Sequence, residues 1–175
     1  MIRKANENDI GRIAEIYDEI HFEEEAGRIT TGWLSGIYPV RATAEAALER
    51  DDLFVFEEDK RVLASAIINR SQVDVYKDGK WLFPAPDSGV MVLHTLTVSP
   101  KAGKRGIGRA LVAFYEDYAR KNGCTVLRMD TNERNAVARA FYKKLGFREA
   151  GVVPCVFNGM PNVKLVLLEK KTAES

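Results

Sequence analysis

Residues 90 to 111, VMVLHTLTVSPKAGKRGIGRAL, run from an apolar segment through a turn with three glycines and four cations into a helical pattern. The apolar segment, 90 to 98, predicts a central strand. Glycine reaches dihedrals that a Cβ forbids and lets the backbone approach a ligand closely. A glycine turn between a strand and a helix start is also where free N–H groups and the helix dipole favour an anion. Three readings fit it: a tight solvated turn, a dinucleotide fingerprint, or a cradle in which the amides of residues 103 to 108 hold a pyrophosphate. The P-loop is excluded, because GKRGIGRA lacks the Gly-Lys-Ser/Thr ending. The dinucleotide template finds Asp130 about twenty residues on, but puts Leu111 where its third glycine belongs. In the cradle reading Lys104, Arg105 and Arg109 add charge to the amides of Gly103, Gly106, Ile107 and Gly108.

Length and composition narrow the partners. The 175 residues suit one domain, 1–175, with a real core. Apolar residues at 46%, charged residues at 29% and a net charge of +1 describe a globular chain with no global electrostatic reason to bind nucleic acid. No stretch approaches the roughly 18 to 20 apolar residues of a membrane span, and the N-terminus has no apolar leader region, so a cytoplasmic location is expected. Cys124 and Cys155 are too few for a disulfide framework and form no metal-ligand spacing with His21 and His94. Free thiols and no metal are expected.

Along the chain, MIRKA predicts a short strand, and Asn6 or Asn8 caps a helix whose face carries Ile10, Ile13, Ala14, Tyr17 and Ile20. Residues 21–50 read as irregular, with a helix opening at Thr43. DLFVFEED and RVLASAIINR predict a hairpin about Asp59-Lys60. Asp78-Gly79 suggests a second hairpin or β-flap, with arms near Val73-Val75 and Trp81-Phe83. After the glycine turn a helix from Gly108 stops at Gly123, CTVLRMD is a strand, and a helix from about Asn135 ends at Gly146. Strands FREAGVV and NVKLVLLE follow.

Strand LTV, Pro100, the Gly-x-Gly turn and, some thirty residues later, NERNAVARAFYKKLGF together resemble the GNAT superfamily of acyl-CoA-dependent N-acyltransferases. The specific match covers Leu96 to Gly151. It implies an α+β fold: a mixed, mostly antiparallel six- to seven-stranded sheet with helices on both faces, in one α/β/α layered domain. It implies acetyl-CoA as acyl donor and a small-molecule or peptide amine as acceptor, and a homodimer is common among relatives. By the same resemblance the strand at Leu96-Thr97-Val98 splays from its neighbour to receive the pantetheine arm. Asn135 then bonds that arm, and Tyr142 lies beside the thioester sulfur. Gly103 departs from the family turn, which carries Arg or Gln at that place.

Acyl transfer to an amine needs a neutral nucleophile, a polarised thioester carbonyl and a proton for the departing thiolate. Main-chain N–H of Leu96 or Val98 suits the carbonyl. The Tyr142 hydroxyl suits the thiolate. For the base, His94 alternates onto the face of Leu96 and Val98, while Glu23, Glu24, Glu25 and Asp74 compete. Trp33, Tyr38, Trp81 and Phe83 are the expected acceptor pocket, and Cys155 reads as a small buried hydrophobe. The alternatives are a dinucleotide-dependent oxidoreductase and a non-catalytic acyl-CoA sensor.

Overall fold

A computed structural model describes residues 1–173. Its strands are β1 (Ile2–Lys4), β2 (Leu53–Glu58), β3 (Arg61–Asn69), β4 (Val90–Val98), β5 (Val126–Asn132), β6 (Arg148–Phe157) and β7 (Met160–Lys171). Its helices are α1 (Ile10–Glu25), α2 (Arg41–Glu49), α3 (Ile107–Lys121) and α4 (Ala136–Lys144). The seven strands form one sheet in the order β1-β2-β3-β4-β5-β7-β6. The β1/β2, β2/β3, β5/β7 and β6/β7 pairs are antiparallel, and β4/β5 is parallel. This is the mixed, mostly antiparallel sheet expected, at the upper strand count. It is unlike the doubly wound parallel sheet that a dinucleotide fold requires.

The described residues divide into two compact units. The first comprises Met1–Ile29, Trp33–Ile68 and His94–Tyr115. Its core sets Ile10, Ile13, Ile16, Tyr17 and Ile20 of α1 against Ala44 and Ala47 of α2 and Leu53, Val55, Val62 and Ile67 of β2 and β3. Each Ile, Leu and Val side chain among them contributes roughly 1.5–3 kcal/mol by burial. Asn6 accepts from the Asn8 amide and Asp9 accepts from the Asn6 amide, so the cap closes a 3-10 turn that leads into α1. The β2/β3 hairpin turns at Asp59 (φ 48°) and Lys60 (φ 59°), two left-handed residues whose twist matches the flanking strands. Thr43 does not open α2. The helix starts at Arg41, and the Thr43 hydroxyl accepts from the Val40 amide at 3.0 Å from within the first turn.

The second unit holds residues 30–32, Asn69–Leu93 and the chain from Glu116 onward. β6 and β7 are joined at Asn158-Gly159, both with positive φ, so the two strands are longer than the sequence pattern predicted. The expected β-flap is absent among the described residues. Asp74–Asp78 forms a 3-10 turn, and Gly79 has φ −71°, ψ 141°. The cause is chemical, because the main chain after Gly79 bonds elsewhere. Lys80 donates to the Ala150 carbonyl at 2.7 Å, and the amides of Leu82 and Phe83 donate to the Glu169 carboxylate at 2.6 and 3.2 Å. Gly79 is needed for close approach instead of turning, since a Cβ there would stand 2.5 Å from the Trp81 ring.

Candidate active site

The glycine turn lies in the first unit. Its two ends are fastened to neighbouring elements, and its middle faces open space. At the entry Ser99 is buried; its amide donates to the Leu63 carbonyl at 2.8 Å and its hydroxyl to Glu19 of α1 at 2.5 Å. Gly103 adopts φ 72°, ψ 179° and Gly106 φ 75°, and a Cβ at either would meet nothing within 4 Å. The backbone angles at position 103 belong almost wholly to glycine. That accounts for the departure from Arg or Gln in the family turn. The Ala110 amide donates to the Gly106 carbonyl at 3.0 Å, which makes Gly106 the residue flanking α3. The N–H groups of residues 106 to 109 therefore have no partner within the helix. One expectation needs correcting: the Arg105 amide is not available, because it donates to the Gly103 carbonyl at 3.1 Å.

These features fit a diphosphate. A backbone that is open at Gly103 and Gly106, beside the first turn of a 15-residue helix, offers donors where negative charge is favoured. The Arg105 guanidinium, however, is turned to protein: it donates to the Ala102 carbonyl at 2.8 Å and to Glu58 at 2.6 Å.

Preceding the turn, β4 pairs with β5 from Val90/Val126 to Leu93/Met129, while β4 itself continues to Val98. Thr95, just past that ladder, has φ 47°, an unusual conformation for a β-branched residue. Its hydroxyl bonds that of Tyr38, and the Thr97 hydroxyl bonds Ser65 at 2.8 Å. The burial pattern still alternates, with His94, Leu96 and Val98 half-buried and Thr95 and Thr97 buried. Trp33 meets Tyr38 edge-on at 6.0 Å between ring centres. Glu23 is held in an ion pair with Arg28 at 2.6 Å, whose hydrogen bond keeps its carboxyl below the ordinary range, the wrong direction for a base.

In the second unit the Asp130 charge acts on Tyr142 and Cys155, three residues named separately from the sequence. Asp130, on β5, accepts a hydrogen bond from the Tyr76 hydroxyl at 2.6 Å. Burial lifts its carboxyl to about 6, with the Tyr76 bond pulling the other way. Tyr142 of α4 is buried, its ring 5.1 Å from Phe141 and 5.9 Å from Phe147 between centres. Burial first and the Asp130 charge second raise its phenol well above the ordinary value. The Cys155 thiol is pushed up by burial and by the same charge. Asp130, which the dinucleotide template picks out by spacing alone, thus sits among proton-bearing groups and is engaged by a phenol.

Trp81 and Phe83 belong to this unit as well. The Trp81 indole donates to the Tyr76 carbonyl at 2.6 Å and its ring lies 4.1 Å from the Arg128 guanidinium, while Phe83 meets Lys171 at 5.3 Å. Asn135 caps α4, accepting from the Ala138 amide at 3.0 Å, which leaves its amide nitrogen as the group it can offer a ligand.

Comparison with known proteins bears on both units. A sequence model of the acetyltransferase (GNAT) family matches residues 12–147. An uncharacterised N-acetyltransferase of Methanocaldococcus jannaschii is 36% identical over 76 residues, 43% of this chain and 34% of that protein. The chain thus matches about a third of that relative's length. The ribosomal-protein-alanine N-acetyltransferase of Brucella melitensis superposes with a TM-score of 0.70 at 22% identity, over 98% of this chain and 99% of the other. yncA of Salmonella typhimurium, solved with its cofactor acetyl-CoA, superposes with a TM-score of 0.68 at 20% identity, over 100% and 95% of the two chains.

Proposed function

Since the chain belongs to the acetyltransferase (GNAT) family, we propose that it moves an acetyl group from acetyl-CoA to a primary amine, borne by a small molecule or by a peptide, by direct attack. Its 175 residues act in this reading as one catalytic domain. The amide donors of the glycine turn and of the first turn of α3 hold the donor's diphosphate, and the Asn135 side chain meets its pantetheine arm.

What supports the reaction is that the Asp130 charge acts on the Tyr142 phenol, and that the two groups have opposite proton tasks at neutral pH. With its carboxyl near 6, Asp130 is ionised at pH 7 yet basic enough to take a proton. Tyr142 holds its proton firmly and is a donor only. The amine nitrogen attacks the thioester carbon, whose oxygen is stabilised by the main-chain N–H of Leu96 or Val98. The carbon–sulfur bond then breaks, Asp130 receives a proton from the nitrogen, and Tyr142 donates to the departing thiolate. The coupling has the right sign. Once Asp130 is protonated its charge no longer holds the Tyr142 proton in place.

Asp130 is preferred to His94 as the proton acceptor because its surroundings tune it to the task. Trp33, Tyr38, Trp81 and Phe83 are assigned to the acceptor side. The free thiols of Cys124 and Cys155 suit a cytoplasmic setting, and a homodimer, which the family resemblance implies, is part of the proposal.

Thiol release from acetyl-CoA, screened over a broad amine panel, tests the reading. Turnover lost in Asp130→Asn and kept in His94→Ala supports it. Coenzyme A binding without thiol release from any amine would replace it with the sensor alternative, and binding of NAD without coenzyme A would replace it with the oxidoreductase.

A further inference from the structure

The four cations of the glycine turn look interchangeable in the sequence, and the structure separates them. Lys101 pairs with Glu19 at 3.0 Å and Arg105 with Glu58 at 2.6 Å. Glu19 is the hub of the first pair: its carboxylate also accepts from Arg12 at 3.0 Å and from the Ser99 hydroxyl at 2.5 Å. Arg12 bridges further, to the Ser99 hydroxyl and the Val62 carbonyl, each at 3.3 Å. The Glu19 side chain is only 13% exposed. Burial raises its carboxyl, but the bonds from Arg12, Ser99 and Lys101 outweigh burial and hold it ionised. At the other end Arg105 spans the turn, joining the Ala102 carbonyl to Glu58 on β2.

Resting on the acetyl-CoA reading above, we propose that Glu19 and Glu58 are positioning residues of the diphosphate turn. They clamp its entry and its exit, and they take Lys101 and Arg105 out of ligand contact, so that the charge offered to the diphosphate comes from Lys104 and Arg109. The assignment makes a prediction opposite to simple electrostatics. Removing a carboxylate beside an anion site should tighten anion binding if charge alone mattered. If the carboxylates hold the shape of the turn, removing one weakens binding, because misaligned donors lose a geometry set in advance.

Calorimetric titration of coenzyme A into wild-type protein, Glu19→Gln, Glu58→Gln, Arg105→Gln, Lys104→Gln and the Glu58→Gln/Arg105→Gln double variant decides between them. Glu19→Gln and Glu58→Gln are each expected to raise Kd about three- to tenfold. The double variant should be no weaker than Arg105→Gln alone, as partners in one interaction are not additive. Lys104→Gln should flatten the dependence of Kd on ionic strength, and Arg105→Gln should leave it unchanged. In turnover assays Glu19→Gln should raise KM for acetyl-CoA by the same factor as Kd, with kcat and the amine KM kept. A structural defect spread through the fold would move all three. Glu58 is half-exposed on a strand end, so its variant remains informative if Glu19→Gln folds poorly. Tighter binding in Glu58→Gln, or a flattened salt dependence in Arg105→Gln, overturns the assignment, as do variants that bind like wild type. Failure of the wild-type protein to bind coenzyme A overturns the donor reading, and this assignment with it.

Discussion

Replacing Asp130 with Asn separates what this carboxylate does for the reaction from what it costs the fold. Burial lifts the carboxyl from an ordinary 3.8 to about 6, so the folded protein binds the proton more tightly than the unfolded chain does. The sign follows by linkage: below pH 3.8 the group is neutral in both states and costs nothing. Between pH 3.8 and 6 stability falls as the unfolded chain ionises first, and above pH 6 the full cost remains. A shift of about two units corresponds to ~3 kcal/mol, since each unit is about 1.4 kcal/mol. Asn is neutral at every pH and keeps an oxygen to accept from Tyr76. Asp130→Asn is therefore expected to be more stable than wild type by up to ~3 kcal/mol at pH 7.5, with the advantage shrinking at pH 4.5. Turnover should meanwhile fall about 10²- to 10⁴-fold through loss of the proton acceptor. Urea unfolding of both proteins at the two pH values, beside thiol-release rates, measures each part. Equal stability of the two proteins at pH 7.5, or a gap of the same size at both pH values, would refute the argument that burial raises this carboxyl.

Four further outcomes follow from the structure. In wild type, kcat/KM should rise with pH through about 6 as Asp130 ionises, and this limb should vanish from the residual activity of Asp130→Asn. Tyr142→Phe keeps the buried ring and loses only the donor, so kcat should drop on the order of 10²-fold or more while coenzyme A affinity holds; unchanged turnover removes the acid role. Gly103→Ala places a Cβ at φ 72°, ψ 179°, which costs about 1–3 kcal/mol of strain; weaker coenzyme A binding by calorimetry is expected, and normal binding would show that the turn relaxes. Glu169→Gln strips the charge from a fully buried carboxylate that pairs with the part-exposed Arg148 and accepts from Leu82 and Phe83; a loss of about 1–3 kcal/mol in urea unfolding is expected.

What the sequence made legible were features of local origin. The periodicity of α1, the Asp59-Lys60 turn, the glycine stops at 123 and 146 and the strand–turn–helix about Gly106 are each decided by residues within a few positions of one another. The Asn158-Gly159 hairpin is equally local, an Asn-Gly turn that joins β6 directly to β7 where the apolar pattern predicts two shorter strands with a gap between them. The supposed β-flap failed for the opposite reason. Asp78-Gly79 is a turn signal in isolation, but Glu169, nearly ninety residues away in sequence, captures the amides that a hairpin would have paired. No pattern within residues 70–89 contains that information.

The same distinction explains why the glycines of the candidate site were found and the roles of its carboxylates were not. A glycine is informative by what it permits locally, whereas Asp130, Glu19 and Glu58 are ordinary acidic residues whose roles come from partners 54, 80 and 47 positions distant. Their environments also differ in direction. Glu19 is surrounded by donors and held ionised, which suits an anchor; Asp130 has one phenol and otherwise burial, which lifts its carboxyl toward neutrality and suits a proton acceptor. Two partly buried carboxylates of one chain are thus set to separate tasks by how many hydrogen bonds each receives, so supplying Asp130 with a second donor should lower its carboxyl and slow the reaction at neutral pH without changing a residue that touches the amine.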